Sequence, residues 1–408
     1  MLTEKLKTND EHSNHEIPFS RNTIIEMVLN DGTITQDEIT LYKGFSQMLM
    51  SIFHFEFHKQ LEELKDFYAP FNPDVPDNAP INNDDNNEYN VFSKDITSVI
   101  IDANYNALSD EDINKALEAE SLFPVSAEVD FSKFEECKLF YQGQSRSKAK
   151  IATVIPFYEK EIEVEFFDRI ILMIKVKDCI DQKKTKSSTS HLEPGKIYLK
   201  YFRNIPKLDL EMIFPDIKPK MKLIHKLQIW VTLFSGVAIA LKEFVYAPFI
   251  AMSSPSPFDG GISVGVLAVL IALFGYASTT YEKYQKITIT LMSAISQSLY
   301  FKDVGNNEAV LTSLVDSAEE EEVKEALLAY YFLWKSSTPL QAIEIDQAIE
   351  NWMLKKHNTE IDFEITDGLA KLDKLGILIL TDDKYTVPSL GETMKKLDQT
   401  WDNYFVYT

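Results

Sequence analysis

Two histidines four residues apart, His54 and His58, with Glu62 one further turn along, come nearest to a metal site in residue type and spacing. On a helix this spacing places two imidazoles and a carboxylate on one face, which is what a single divalent ion asks of one element. Glu56 occupies the wrong position for the H-E-x-x-H pattern, and Lys43, Gln47 and Ser51 continue the same stripe, so a polar helix face is the plainer reading. A second group, Asp209, Glu211 and Asp216, could hold a cation or a partner's lysine; pairing with Lys218, Lys220 or Lys222 is the simpler expectation. Asp303, Asn306, Asn307 and Glu308 surround Gly305 without the spacing of a twelve-residue calcium loop, and read as a turn between helices.

No glycine lies in a phosphate-binding G-x-x-x-x-G-K-[ST] loop, a G-x-G-x-x-G turn or a G-x-S-x-G elbow. Nucleotide hydrolysis, dinucleotide redox chemistry and hydrolase catalysis are unsupported, and no cofactor is expected. Cys137 and Cys179 are too few for a disulfide framework in 408 residues, which fits a reducing compartment.

The elements that must position these residues are legible in part. Thr23 with Glu26 and Thr35 with Glu38 have capping-box spacing, separated by the turn signal Asn30-Asp31-Gly32. The second box opens a helix expected over 36–68, with Ile39, Tyr42, Phe45, Leu49, Ile52, Phe53, Leu61, Leu64 and Tyr68 on one buried face. A helical N-terminal region (1–71) is followed by an Asn/Asp/Pro-rich linker (72–94). Residues 95–222 predict a mixed α/β domain facing the cytoplasm. It has a helix starting near Ser109, strands within 127–141, 151–158, 161–176 and 196–203, and a polar hairpin loop at 182–190. Residues 282–408 predict helices near 319–334, 341–356 and 363–375. Two β-like runs about Asp382 and Asp383 follow, a winged-helix-like C-terminal domain. The acidic run 319–322 is expected at a helix N-terminus, where the helix dipole favours negative charge.

Hydropathy adds a membrane expectation. Residues 260–281 are uncharged and would cover about 33 Å as a helix, enough for a bilayer core. The stretch 226–248 is a less uniform first span, interrupted by Lys242 and Glu243. Together, 226–281 predicts a two-helix transmembrane hairpin. A basic collar of Lys218, Lys220, Lys222, Lys226, Lys283 and Lys286 would keep both termini cytoplasmic. Gly261, Gly265, Ala268, Ala272 and Gly275, with Gly236 and Ala240 on the first span, form small-residue seams for packing within the hairpin or for homo-oligomerisation. The scarcity of arginine beside lysine suggests an AT-rich bacterial coding bias, hence an inner membrane. The fold expected is thus an α+β membrane protein.

Several long phrases carry a family resemblance: FHFEFHKQLEELKDFYAPFNPD from Phe53, ALEAESLF from Ala116, LFYQG from Leu139, YLKYFRNIPKLDLEMIFPDIKPKMKL from Tyr198 and SLYFKDVGNNEAVLTSLVDSAEEEEVKEALLAYYFLW from Ser298. In order and spacing, from about Pro18 to Phe405, the chain resembles the domain of unknown function 3754 family, whose animal members are the transmembrane protein 143-like proteins. The resemblance implies two membrane helices and no activity or catalytic residue to carry over.

The charge balance, 41 Lys+Arg against 63 Asp+Glu for a net −22, opposes nucleic acid as a partner, since phosphate binding needs clustered cations. The reading from sequence is a two-span scaffold or interaction platform, with the bilayer and unidentified proteins as partners. A metal-dependent membrane enzyme using His54 and His58, or a pore built from hairpins, are the alternatives.

Overall fold

Residues 169–176, RIILMIKV, are apolar at nearly every position, the signature of a strand covered on both faces. The computed structural model describes residues 16–75, 85–118, 125–152, 159–178, 192–221 and 261–404, with Phe234. In it this run ends β4 (Glu159–Val176), the middle strand of a five-stranded antiparallel sheet. Its neighbours are β3 (Phe134–Ala152) and β5 (Ile197–Pro206), with β1 (Asn106–Ala107) and β7 (Asp303–Asn306) at the edges. A separate short ribbon pairs β2 (Val125–Glu128) with β6 (Lys218–Met221).

Alternation along β4 sorts its side chains between two cores. Ile171 and Met173 join Phe140, Ile197 and Leu199 on the face covered by helices. Ile170, Leu172 and Ile174 join Tyr141, Phe167 and Phe202 on the other. There α4 (Asp110–Glu118) supplies Ile113, and the 3-10 segment Lys207–Ile213 supplies Leu210 and Ile213. Each fully buried Ile or Leu is worth about 1.5–3 kcal/mol relative to exposure.

The helical layer joins the two ends of the chain. α1 (Arg21–Leu29) is capped by Ser20, whose hydroxyl accepts from the Thr23 amide, three residues ahead of the cap expected at Thr23. α2 (Gln36–Tyr68) starts at the Thr35–Glu38 capping box as expected. Its apolar stripe lies on α6 (Glu308–Lys335), where Phe45 stacks on Tyr330 with ring centroids 4.2 Å apart and the Tyr42 hydroxyl donates to the Leu327 carbonyl. α3 (Asp85–Asp102) takes up the C-terminal part, 85–94, of the expected linker. Asn307, with a left-handed φ of 51°, turns the chain from β7 into α6. Its buried amide accepts from Tyr68 Oη and the Leu199 N–H and donates to Asp74.

Beyond α6 come α7 (Ala342–His357), α8 (Ile365–Lys374) and a hairpin of β8 (Ile379–Thr381) and β9 (Lys384–Thr386). Asp382 and Asp383 both take positive φ in its two-residue turn. Leu340 bridges Tyr385, so three helices, a bridging residue and a wing-like hairpin follow one another in winged-helix order. α8 can lie close on α6 because residue 368 is glycine: a Cβ there would come within 3.1 Å of Ala329 Cβ. α9 (Leu390–Asp402), opened by a Ser389–Glu392 capping box, returns across α2.

The transmembrane hairpin is corrected. Among the described residues no helix is long and apolar enough to cross a membrane. The first expected span, 226–248, lies outside the described residues but for Phe234. The second is not a separate element. It opens α5 (Gly261–Tyr300), an unbroken helix of 40 residues that runs on through Glu282, Lys283 and Lys286. At 1.5 Å per residue α5 is about 60 Å long, twice a bilayer core, and has no boundary where the apolar run stops. Ile271, Phe274, Tyr281 and Ile289 on it are exposed. The α+β membrane fold, the integral-membrane description, the inner-membrane location with cytoplasmic termini, and the two-span scaffold, membrane metalloenzyme and pore readings all rested on the hairpin and fall with it. The described residues form a mixed α/β structure.

Candidate functional site

α6 is a helix of 28 residues, and the acidic run Glu319 to Glu322 sits in its middle rather than at its N-terminus. Helical geometry fans the four carboxylates around the axis, so each meets a different part of the molecule. Glu319 accepts from Arg21 Nη1 at 2.6 Å and pairs with His54 Nδ1 at 3.0 Å. Glu320 accepts the Arg21 backbone N–H at 2.7 Å, covering an otherwise unmatched donor in the first turn of α1. Glu321 accepts from Lys324 Nζ at 2.8 Å, and Lys324 also donates to the Ile17 carbonyl at 2.7 Å. One turn on, Glu322 and Glu325 both pair with Lys371 of α8, Glu322 at 2.8 Å. The other Glu325 oxygen accepts from Asn104, just past α3.

The result is a seam of charge inside an apolar helix layer. Glu319, Glu321, Lys324, Glu325 and Lys371 are all buried. Charges so placed survive only when paired and hydrogen-bonded. The lower end of the seam is out of balance: Glu322 and Glu325 share one ammonium, Lys371, while the nearby Asp102 is acted on by Lys371 and Lys374 on one side and by Asp367 and Glu325 on the other. Burial pushes the Glu322 carboxyl up to about 7, Lys371 opposing and Glu325 and Asp102 reinforcing the rise. Burial also raises Asp102, and raises Glu321 against the pull of Lys324. Burial disfavours the charged form of Lys371, but Glu325 and Glu322 outweigh it and hold the ammonium above its ordinary value. Lys371 is thus protonated and no nucleophile. The chemistry this group offers is the uptake and release of a proton near neutral pH.

The residues singled out from sequence are placed as follows. His54 and His58 share a helix face with ring centroids 6.3 Å apart, His54 is largely exposed, and Glu62 pairs with Lys65 at 3.0 Å. Among the described residues no group of three His, Cys, Asp or Glu is placed to hold a metal ion. Asp209 and Glu211 are buried in the 3-10 segment, and Asp216 pairs with Lys133. Lys218 and Lys220 lie in β6 opposite Glu128 and Ser126. Lys222, Lys226, Gly236 and Ala240 fall outside the described residues. Gly261, Gly265, Ala268, Ala272, Gly275, Lys283 and Lys286 all lie on α5. A Cβ at Gly275 would meet nothing within 4 Å, and Lys286 is exposed.

Sequence reasoning reached Glu319 to Glu322 but missed Arg21, Asp102, Glu325 and Lys371. The available signal was the composition of α6: acids flanked on both sides by apolar residues, which a solvent-facing acidic turn would not need.

Residues 167–309 match the sequence profile of the family described as protein of unknown function, DUF3754. The match is narrower than the run of resembling phrases and covers the C-terminal half of β4, then β5 and α5 through to the Asn307 turn. No solved structure matches the chain.

Proposed function

We propose, from the premise that the chain belongs to the DUF3754 family of proteins of unknown function, that it is a proton-responsive coupling module. Its N-terminal segment, α3 and winged-helix-like C-terminal part are held on α6 by the charged seam, and protonation of that seam sets how tightly they dock. The observation that carries this reading is Lys371, buried on α8 between Glu322 and Glu325 of α6. Ionised, Glu322 and Glu325 exceed the one ammonium they share and load the interface with uncompensated charge. With Glu322 protonated, Lys371 and Glu325 remain as a balanced pair. Acidification therefore tightens α8 on α6 and alkalinisation loosens it.

α8 is the third helix of the winged-helix order, the position that reads DNA in nucleic-acid binders. Both of its lysines have acidic partners within the chain, Lys371 buried as above and Lys374, exposed at the surface, with Glu56 at 2.7 Å. That supports a protein or small-molecule readout rather than nucleic acid. The test is hydrogen exchange of the full chain at pH 6 and pH 8.5, corrected for the intrinsic pH dependence of exchange. The expected result is weaker protection of 365–374 and 16–21 at the higher pH, with the difference lost in Glu322→Gln. Equal protection at both pH values in the parent protein refutes the reading.

A further inference from the structure

Away from the seam, α1 and the C-terminal end of α7 enclose a cleft of about 430 Å³. That volume is within the range of small-molecule sites. Thr23, Glu26, Met27 and Asn30 form one wall, Lys356 and His357 the other, and Asp31 lies at its base.

The base is fully committed. The Asp31 carboxylate accepts from Trp352 Nε1 at 2.6 Å, Tyr331 Oη at 2.8 Å, Thr33 Oγ1 at 3.1 Å and Lys356, whose ammonium also reaches the Asp31 carbonyl at 2.9 Å. Burial works against its ionisation, but these donors prevail and keep the carboxyl below its ordinary value. Asp31 and Lys356 therefore cancel as an internal pair. The Thr23 hydroxyl is matched to Ser20 at 2.9 Å. His357 packs edge-on to Trp352 with centroids 4.7 Å apart, and its Nε2 has no hydrogen-bond partner among the described residues. Burial holds its imidazole below the ordinary value, Asp31 opposing and Lys356 adding, so at neutral pH it brings no positive charge.

What the cleft still offers is acceptors. Among the described residues Glu26 and Asn30 have no side-chain partner, and both are exposed at the cleft wall. The C-terminal ends of α1 and α7 both lie there, at Asn30 and Asn358, contributing the negative ends of their dipoles. The net charge of −22 adds a long-range field that draws cations.

We propose that this cleft binds a small organic ammonium ion, a primary or secondary amine. Glu26 is its counter-ion and the Asn30 amide oxygen a second acceptor, while Met27 and the His357 ring cover its hydrocarbon part. Lys356, neutralised by Asp31, bounds the site and leaves the amine no competing cation.

The experiment is calorimetric titration of the full chain with 1,4-diaminobutane in 0.15 M NaCl, a salt level that screens loose association with an acidic surface. Expected is saturable binding at one site, weakened at least tenfold by Glu26→Gln and changed less than twofold by Glu63→Gln, an exposed carboxylate on α2. n-Butanol, of similar hydrocarbon length and no charge, is expected not to bind. Absence of saturable binding overturns the proposal. So does equal weakening by the two substitutions, or binding of n-butanol as tight as that of the diamine.

Discussion

Replacing Glu322 with glutamine removes a charge from a buried ion pair, and the seam predicts that this stabilises the protein. The carboxyl titrates at about 7 in the folded chain against an ordinary 4.5, so between those values the folded state holds more protons than the unfolded one. Stability therefore falls as pH rises through that window. Ionising Glu322 costs about 3 kcal/mol at 1.36 kcal/mol per pH unit. Between pH 6 and pH 8.5 the fraction of that cost that appears is about 1.4 kcal/mol. Both values lie above the isoelectric point near 4.8, where the protein keeps a net negative charge. The assay is urea unfolding followed by tryptophan fluorescence, for which Trp334 and Trp352 lie in the helical core. Glutamine keeps the shape and an acceptor for Lys371 but cannot ionise. Relative to the parent, Glu322→Gln should gain about 1.4 kcal/mol at pH 5.5, where the unfolded carboxyl is already ionised, and about 3 kcal/mol at pH 8.5, with the parent's slope between pH 6 and 8.5 flattened. A variant less stable than the parent by 1 kcal/mol at pH 8.5 would mean that attraction to Lys371 exceeds desolvation and repulsion, and the account of the seam would be wrong.

The remaining predictions use the same unfolding assay unless stated. Lys371→Met leaves Glu322 and Glu325 without a counter-ion and should cost about 3–5 kcal/mol at pH 8, less at pH 6. Gly368→Val drives a branched side chain into Ala329 and the Glu325 carbonyl, and should lose about 1–3 kcal/mol without changing the pH slope. Asn307→Ala strands the Leu199 N–H, leaves the Tyr68 hydroxyl only the Ile197 carbonyl and places alanine at positive φ, for a loss of about 2–3 kcal/mol and faster amide exchange at Leu199. Asp31→Asn weakens the cluster of donors from Lys356, Trp352, Tyr331 and Thr33. Because the folded carboxyl lies below its ordinary 3.8, its stabilisation is complete above that value and lost as pH falls through the lower one, so at pH 7 the variant should show a loss of about 1–3 kcal/mol.

Legibility followed how local the determining physics was. α2 could be bounded from sequence because both its cap and its three-and-four apolar spacing lie within the helix itself. β4 could be recognised by its run of branched residues, and the wing-like turn by Asp382 and Asp383. α3 was hidden because its first turn, DNNE, has the composition of a linker; only packing of Phe92, Ile96 and Ile100 against the core makes it a helix. α6 was expected to begin at Glu319, since acids favour helix starts, whereas its true start is set by Asn307, whose positive φ no periodicity announces. The seam itself was out of reach. Glu322 and Glu325 read as surface acids until Lys371, 46 residues beyond Glu325, is folded against them. The membrane spans were inferred chiefly from apolarity, a local quantity that does not reveal where a helix stops.

The packing of α2 on α6 also bears on how the chain is made. The Tyr42 hydroxyl and its Leu327 acceptor are 285 residues apart. At about 5–20 residues per second of synthesis, α2 leaves the ribosome roughly 14 to 57 seconds before α6 exists to cover it. During that interval Tyr42, Phe45, Leu49 and Ile52 form an uncovered aromatic and aliphatic stripe on a nascent helix, the kind of surface that chaperones hold and that nascent chains aggregate through. The α2–α6 layer therefore closes late, across a separation of 285 positions, rather than by progressive folding outward from α2.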